Sequence, residues 1–132
     1  MDQWESYKDS VFLCHQPLGD QIDFAIISAQ NPKGSLYPLQ HNLMLDRELE
    51  SHLEQQNLPY RTLIGASPDL VFQEKSWAVV CEKSQAIDLA LLFQQNAIYW
   101  VEAGQLFLVP ALLQQAEEYL GLYQARQIVL AR

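Results

Sequence analysis

The sequence has few of the residues in which chemistry is easiest to read. Only 2 cysteines and 3 histidines occur among 132 residues, and metal sites and nucleophile–base pairs draw heavily on those types. Cys14 and Cys81 lie in apolar, strand-like runs, where small reduced thiols are the expectation and a disulfide is not. Cys14 and His15 are adjacent, but neighbours on a strand face opposite ways and make a poor chelate. His41 and His52 have no partner at ligand spacing, so no metal site is expected. No phosphate loop, dinucleotide fingerprint or metalloprotease helix occurs, and no cofactor is assigned. Basic residues are also scarce: 8 Lys and Arg stand against 16 Asp and Glu, a formal charge of -8. They form no stripe, which argues against a nucleic-acid partner. No apolar run approaches the ~20 residues of a membrane helix. The acidic start MDQWESYKDS does not read as a secretory signal. A cytoplasmic protein without a membrane partner is the expectation.

What is present is a core-forming chain. Hydrophobic residues make up 49%, and the length suits a single domain, 1–132. Trp4 and Tyr7 at i, i+3 suggest a short N-terminal helix capped by Asp2. Val11 to His15 and Asp23 to Ala29 read as strands joined in a hairpin. Asn31-Pro32-Lys33-Gly34-Ser35 is turn chemistry. With Ser35 as cap and Pro38 in the first turn, a helix runs to about Asn57, before Pro59. Its apolar stripe is Leu39, Leu43, Leu49 and Leu53.

Tyr60 to Gly65, Leu70 to Phe72 and Ser76 to Cys81 follow as strand candidates. Ser84 opens a helix to about Gln95, with Ile87, Ala90 and Leu91 inward. Ala97 to Val101 and Gln105 to Val109 form a hairpin across Glu102-Ala103-Gly104. Leu112, Ala116, Tyr119 and Tyr123 keep helical spacing, so residues 110–132 are expected to form a C-terminal helical extension. The predicted fold is α+β: a two-layer sandwich with a mixed, mostly antiparallel sheet of about five to six strands and two to three helices.

Polar residues concentrate where the second strand runs into the long helix, Ser28 to Asp46. Asn42 and Asp46, one turn apart, fall inside the helix's inward stripe. A buried polar group left without a partner costs about 1–3 kcal/mol. Two readings stay open. Asn42 could bond the turn around Asn31 to Ser35 while Asp46 pairs with Arg47 or Arg61. Alternatively, both could line a pocket near a helix N-terminus. Glu74 and Ser76, two apart on a strand, share a face. Gln95 could cap the second helix or join a polar cluster. His41 and His52 read as solvated.

Four stretches in order resemble a family of uncharacterised bacterial proteins, the domain of unknown function 3293 family. They are ISAQNP (Ile27 to Pro32), Asn42 in the following helix, Leu58-Pro59-Tyr60 through Gly65 with Glu74 and Ser76, and FQQNAI (Phe93 to Ile98). The resemblance spans about Tyr7 to Val109. Gln30 stands where the family more often has an aromatic, and Gln94 where it usually has Gly. It implies no activity.

The expected function is therefore a small binding or regulatory module whose candidate site residues are Asn31, Asn42, Asp46, Glu74, Ser76 and Gln95. Amides bind well but are poor acid–base groups. The partner would be an unidentified small molecule or protein. One alternative is an enzyme with Asp46 or Glu74 as general base. Another is an interaction domain, or homodimer, built on the C-terminal segment.

Overall fold

Alternation along the central strands sends apolar side chains to both faces, so both faces must be covered. In a computed structural model, which describes residues 3–131, they are. The elements are α1 (Gln3–Tyr7), β1 (Val11–Cys14), β2 (Phe24–Ile27), α2 (Leu39–Gln55), β3 (Tyr60–Ala66) and β4 (Gln73–Val79). After these come α3 (Lys83–Leu92), β5 (Ala97–Glu102), β6 (Gln105–Pro110), β7 (Glu118–Leu122) and β8 (Gln127–Val129). The eight strands form one sheet in the order β7-β6-β5-β2-β4-β3-β1-β8, curled into a half-barrel. All pairs are antiparallel except β1 with β8.

This corrects the two-layer sandwich of about five to six strands, although the class remains α+β. On the convex face, Ala25, Ile27, Trp77, Val79, Ile98 and Trp100 pack under Leu49 and Leu53 of α2 and Ala86, Leu89 and Ala90 of α3. On the concave face, Phe12, Phe24, Ile26, Leu63, Val101 and Leu106 form a second core inside the curl. A flat sheet with one helical layer would leave that second set in water, at about 25 cal/mol per Å² of apolar surface.

The expected C-terminal helix is absent among the described residues, where the tail supplies β7 and β8 instead. Its helical spacing loses to cross-strand pairing: Tyr119 packs beside Phe107 of β6, ring centroids 5.4 Å apart. β7 and β8 lie at opposite ends of the sheet, yet only residues 123–126 join them. The two edges must therefore come within roughly 17 Å, the reach of so short a link. Tyr123, in that link, is buried against Phe12 and Phe24. Arg126 donates to the carbonyls of Lys8 (2.7 Å), Ser10 (3.0 Å) and Leu120 (3.3 Å), closing the curl.

Several local expectations change for local reasons. β1 and β2 do not form a hairpin, since β1 pairs with β3 and β8 while β2 pairs with β4 and β5. α2 starts after Pro38 with no side-chain cap, so Ser35 does not serve. Its buried stripe is Asn42, Asp46, Leu49 and Leu53, with Leu39 and Leu43 exposed. Glu82, in a capping box with Gln85, starts α3 in place of Ser84. Leu91 faces solvent. The expected strand at Leu70 to Phe72 is part of the turn into β4. The Asp2 cap lies outside the described residues.

α2 and α3 end alike. Asn57 N–H bonds Glu54 O and Leu58 N–H bonds Leu53 O; Gln94 N–H bonds Leu91 O and Gln95 N–H bonds Ala90 O. This is the Schellman arrangement, which needs a left-handed residue after the cap. Asn57 and Gln94 supply it at φ 56° and 55°. Gln is a costly choice for that conformation and Gly a cheap one. Gln94→Gly is expected to stabilise the fold by up to about 1 kcal/mol in urea unfolding. A loss of stability would mean that the Gln94 side chain holds something the backbone does not.

Candidate functional site

The cleft begins with a forced turn. Where β2 ends, Asn31 takes left-handed φ 51°, ψ 60°, a conformation Asn tolerates better than most residues. Asn42 of α2 holds it there. Asn31 N–H donates to Asn42 Oδ1 and Asn42 Nδ2 donates to Asn31 Oδ1, both at 2.9 Å. Tyr37 N–H also donates to Asn31 Oδ1, at 2.9 Å. The remaining group of Asn31, its Nδ2, points to β4 and donates to Glu74 Oε1 at 2.9 Å.

The turn continues to Gly34, at φ 76°, where a Cβ would run into the side chains of Gln3 and Asn96. Gln3 Nε2 donates to Lys33 O (3.1 Å), and Asn96 Nδ2 donates to Gln3 Oε1 and Tyr7 Oη, each at 3.0 Å. Lys33 N–H donates to Gln94 O at 2.7 Å. Gln95 Nε2 donates to Gln30 O (3.1 Å) and Phe93 O (3.3 Å), so it both caps α3 and joins the cluster. Tyr99 of β5 donates to Tyr7 O (2.6 Å) and accepts from Ser10 Oγ (2.7 Å), fixing α1 over the sheet.

These groups border one cleft of about 330 Å³ at the concave face. Its polar walls come from Gln3 and Tyr7, Ser28 and Asn31, Glu74 and Ser76, and Gln95 and Asn96. Phe12, Ile26 and Leu108 form apolar wall, and Leu36 and Phe72 stand exposed where they border it. Burial pushes the Glu74 carboxyl above the ordinary range, while hydrogen bonding from Asn31 and Ser28 pulls it part of the way back. The Tyr7 phenol is likewise raised, first by burial; the Asn96 amide offsets this, and the Glu74 charge adds to it. A largely buried carboxyl that shares a cleft with a phenol can bind a polar molecule or exchange a proton with one.

Of the sequence-derived residues, Asn31, Glu74, Ser76 and Gln95 border the cleft. Asn42 sits behind Asn31 and fixes the turn. Asp46 is on the convex side: Trp77 Nε1 donates to it at 2.8 Å, and Lys75 Nζ pairs with it at 2.7 Å. Its partners are not Arg47 or Arg61, and a general base there could not reach the cleft. His41 packs on Tyr37 and His52 on Phe93, each with ring centroids within 5.6 Å. Gln3, Tyr7 and Asn96 escaped the sequence reading. Asn96 follows Gln95 directly, and Tyr7 was legible only as a packing residue beside Trp4. No group of three or more His, Cys, Asp or Glu able to hold a metal occurs among the described residues.

One family profile matches the chain, over residues 27–98, and is described as a protein of unknown function, DUF3293. The chain belongs to the DUF3293 family. No curated protein and no solved structure matches it. The DUF3293 match carries Asn31, Asn42, Glu74, Gln95 and Asn96, and so takes in the reciprocal Asn31–Asn42 clasp and most of the cleft's polar wall. Gln3 and Tyr7 lie outside it.

The raised Glu74 carboxyl makes folding pH-dependent. The folded chain holds that proton more tightly than the unfolded chain does. Glu74 therefore favours folding at low pH, an advantage lost as pH rises from the unfolded carboxyl's range through the raised value. Glu74→Gln keeps an acceptor for Asn31 without the charge. Its melting temperature relative to wild type is expected to climb with pH across that interval and then level off. A pH-independent difference would show that the Glu74 pKa is not raised on folding.

Proposed function

We propose that this DUF3293 chain is a small, non-catalytic binding or regulatory module of the cytoplasm, and that its ligand sits in the cleft between α1, the Asn31–Gly34 turn and β4. The observation that carries this reading is convergence. Tyr7 of α1, Asn31 after β2, Glu74 of β4, and Gln95 and Asn96 of the α3–β5 link are wholly or partly buried and border one space. A concave space bordered by a few convergent polar groups is the usual form of a small-molecule site. Cys14 and Cys81 are free, and burial raises both thiols, Cys81 to about 11, which suits inert, reduced cysteines. No described helix is long and apolar enough to cross a membrane.

A second reading makes the protein an enzyme with Glu74 as its acid–base group. The raised carboxyl beside Tyr7 favours it. Asp46 has no part in it. Pairing of two copies through a C-terminal helix loses its basis with that helix.

Thermal-shift screening of a metabolite library tests the first reading. At a hundred times its Kd a ligand adds about 2.7 kcal/mol, or roughly 10 °C in Tm for a domain this size. At least one compound is expected to produce such a shift in wild type, and to lose most of it in Asn96→Ala. Hits that shift both proteins equally would take the ligand out of this cleft. Turnover of a hit, abolished by Glu74→Gln, would favour the enzyme.

A further inference from the structure

The amides of this cleft have a fixed polarity. Gln95 Nε2 donates to two backbone carbonyls, which can only accept, so its amide cannot be turned over. Gln3 Nε2 donates to Lys33 O in the same way, leaving Gln3 Oε1 to accept from Asn96 Nδ2. Tyr37 N–H fixes Asn31 Oδ1, so Asn31 Nδ2 must face Glu74. The NH₂ groups of Gln95 and Asn96 each meet two acceptors and are thus engaged within the protein.

On these two side chains the oxygens are what remain. Gln95 and Asn96 are only 8% and 6% exposed, yet Gln95 Oε1 and Asn96 Oδ1 have no partner among the described residues. Neither is enclosed; Tyr123 Oη is the one fully buried side-chain polar atom without a partner among the described residues. Open oxygens on otherwise buried side chains mark the face offered to a ligand. Glu74 adds a carboxyl to them. No Lys, Arg or His borders the cleft among the described residues, and the whole chain carries a formal charge of -8. An anion would meet acceptors and negative charge without a counter-ion. At the border, Leu36 and Phe72 are 82% and 48% exposed and offer apolar contact.

Taking the cleft-binding reading as its basis, we propose that the ligand is a small organic cation: an N–H-bearing head, such as a protonated amine, attached to an apolar group. The head donates to the Gln95 and Asn96 oxygens and pairs with the Glu74 carboxylate. The apolar part lies against Leu36 and Phe72.

Three probes with one ring and different heads test this: benzylamine, benzyl alcohol and benzoate. Each is titrated into the labelled full chain at neutral pH while the side-chain NH₂ signals of Gln95 and Asn96 are followed by NMR. Benzylamine is expected to move both signals saturably, at least tenfold more tightly than the alcohol, with benzoate inert. Glu74→Gln should reduce benzylamine to the level of the alcohol, and Phe72→Ala should weaken it several-fold. Benzoate or the alcohol binding as tightly as the amine would overturn the cationic class while leaving the cleft a binding site. Amine binding unchanged in Glu74→Gln, or no movement with any probe, would also overturn it. The cleft reading itself falls only if the wider library yields no ligand there.

Discussion

The reciprocal pair between Asn31 and Asn42 is the contact on which the site depends. A backbone that must leave a buried strand, reverse and enter a helix exposes unmatched polar groups at the bend. Asn42 satisfies two of them, the Asn31 N–H and the Tyr37 carbonyl, and also orients the Asn31 side chain. With its Oδ1 engaged, Asn31 has only its NH₂ to present to Glu74. A residue outside the cleft thereby determines what the cleft's single carboxylate meets.

The same logic runs through the neighbouring amides. Gln3, Asn31 and Gln95 are each locked by a backbone group at one end, and Asn96 by Gln3, so the polarity at the other end follows. Gly34 makes this possible, because any side chain there would displace Gln3 and Asn96. The curl of the sheet then decides what lies around the amides. The tail returns from β7 to β8 through Tyr123, and Arg126 ties that return to the chain near α1. The concave face becomes a core at one end and a cleft at the other. The buried Tyr123 hydroxyl lacks a partner, a cost of about 1–3 kcal/mol that closure of the core offsets.

Much of this was legible in the sequence where the signal was local. The two positive-φ residues of the β5–β6 turn, Ala103 and Gly104, follow from a short Gly-bearing link between apolar runs. The inward position of Asn42 and Asp46 followed from helix periodicity, and the shared face of Glu74 and Ser76 from strand alternation. What was not legible was long-range. The sequence offers Asp46 either Arg47 or Arg61 as a partner or a place in a pocket, but α2 crosses the sheet where Trp77 and Lys75 lie. The tail's helical spacing was genuine, yet pairing with β6 and β1 outweighed it. Tyr7 and Asn96 meet across 89 residues, a distance no local pattern spans.

The clasp is tested most directly by following the Glu74 carboxyl by NMR titration in wild type and in Asn42→Ala. Asn42 does not touch Glu74, and the Asn31 amide lowers the Glu74 pKa. Releasing Asn31 should therefore raise the Glu74 pKa further in the folded variant. An unchanged Glu74 titration in folded Asn42→Ala would contradict the claim that this pair builds the site.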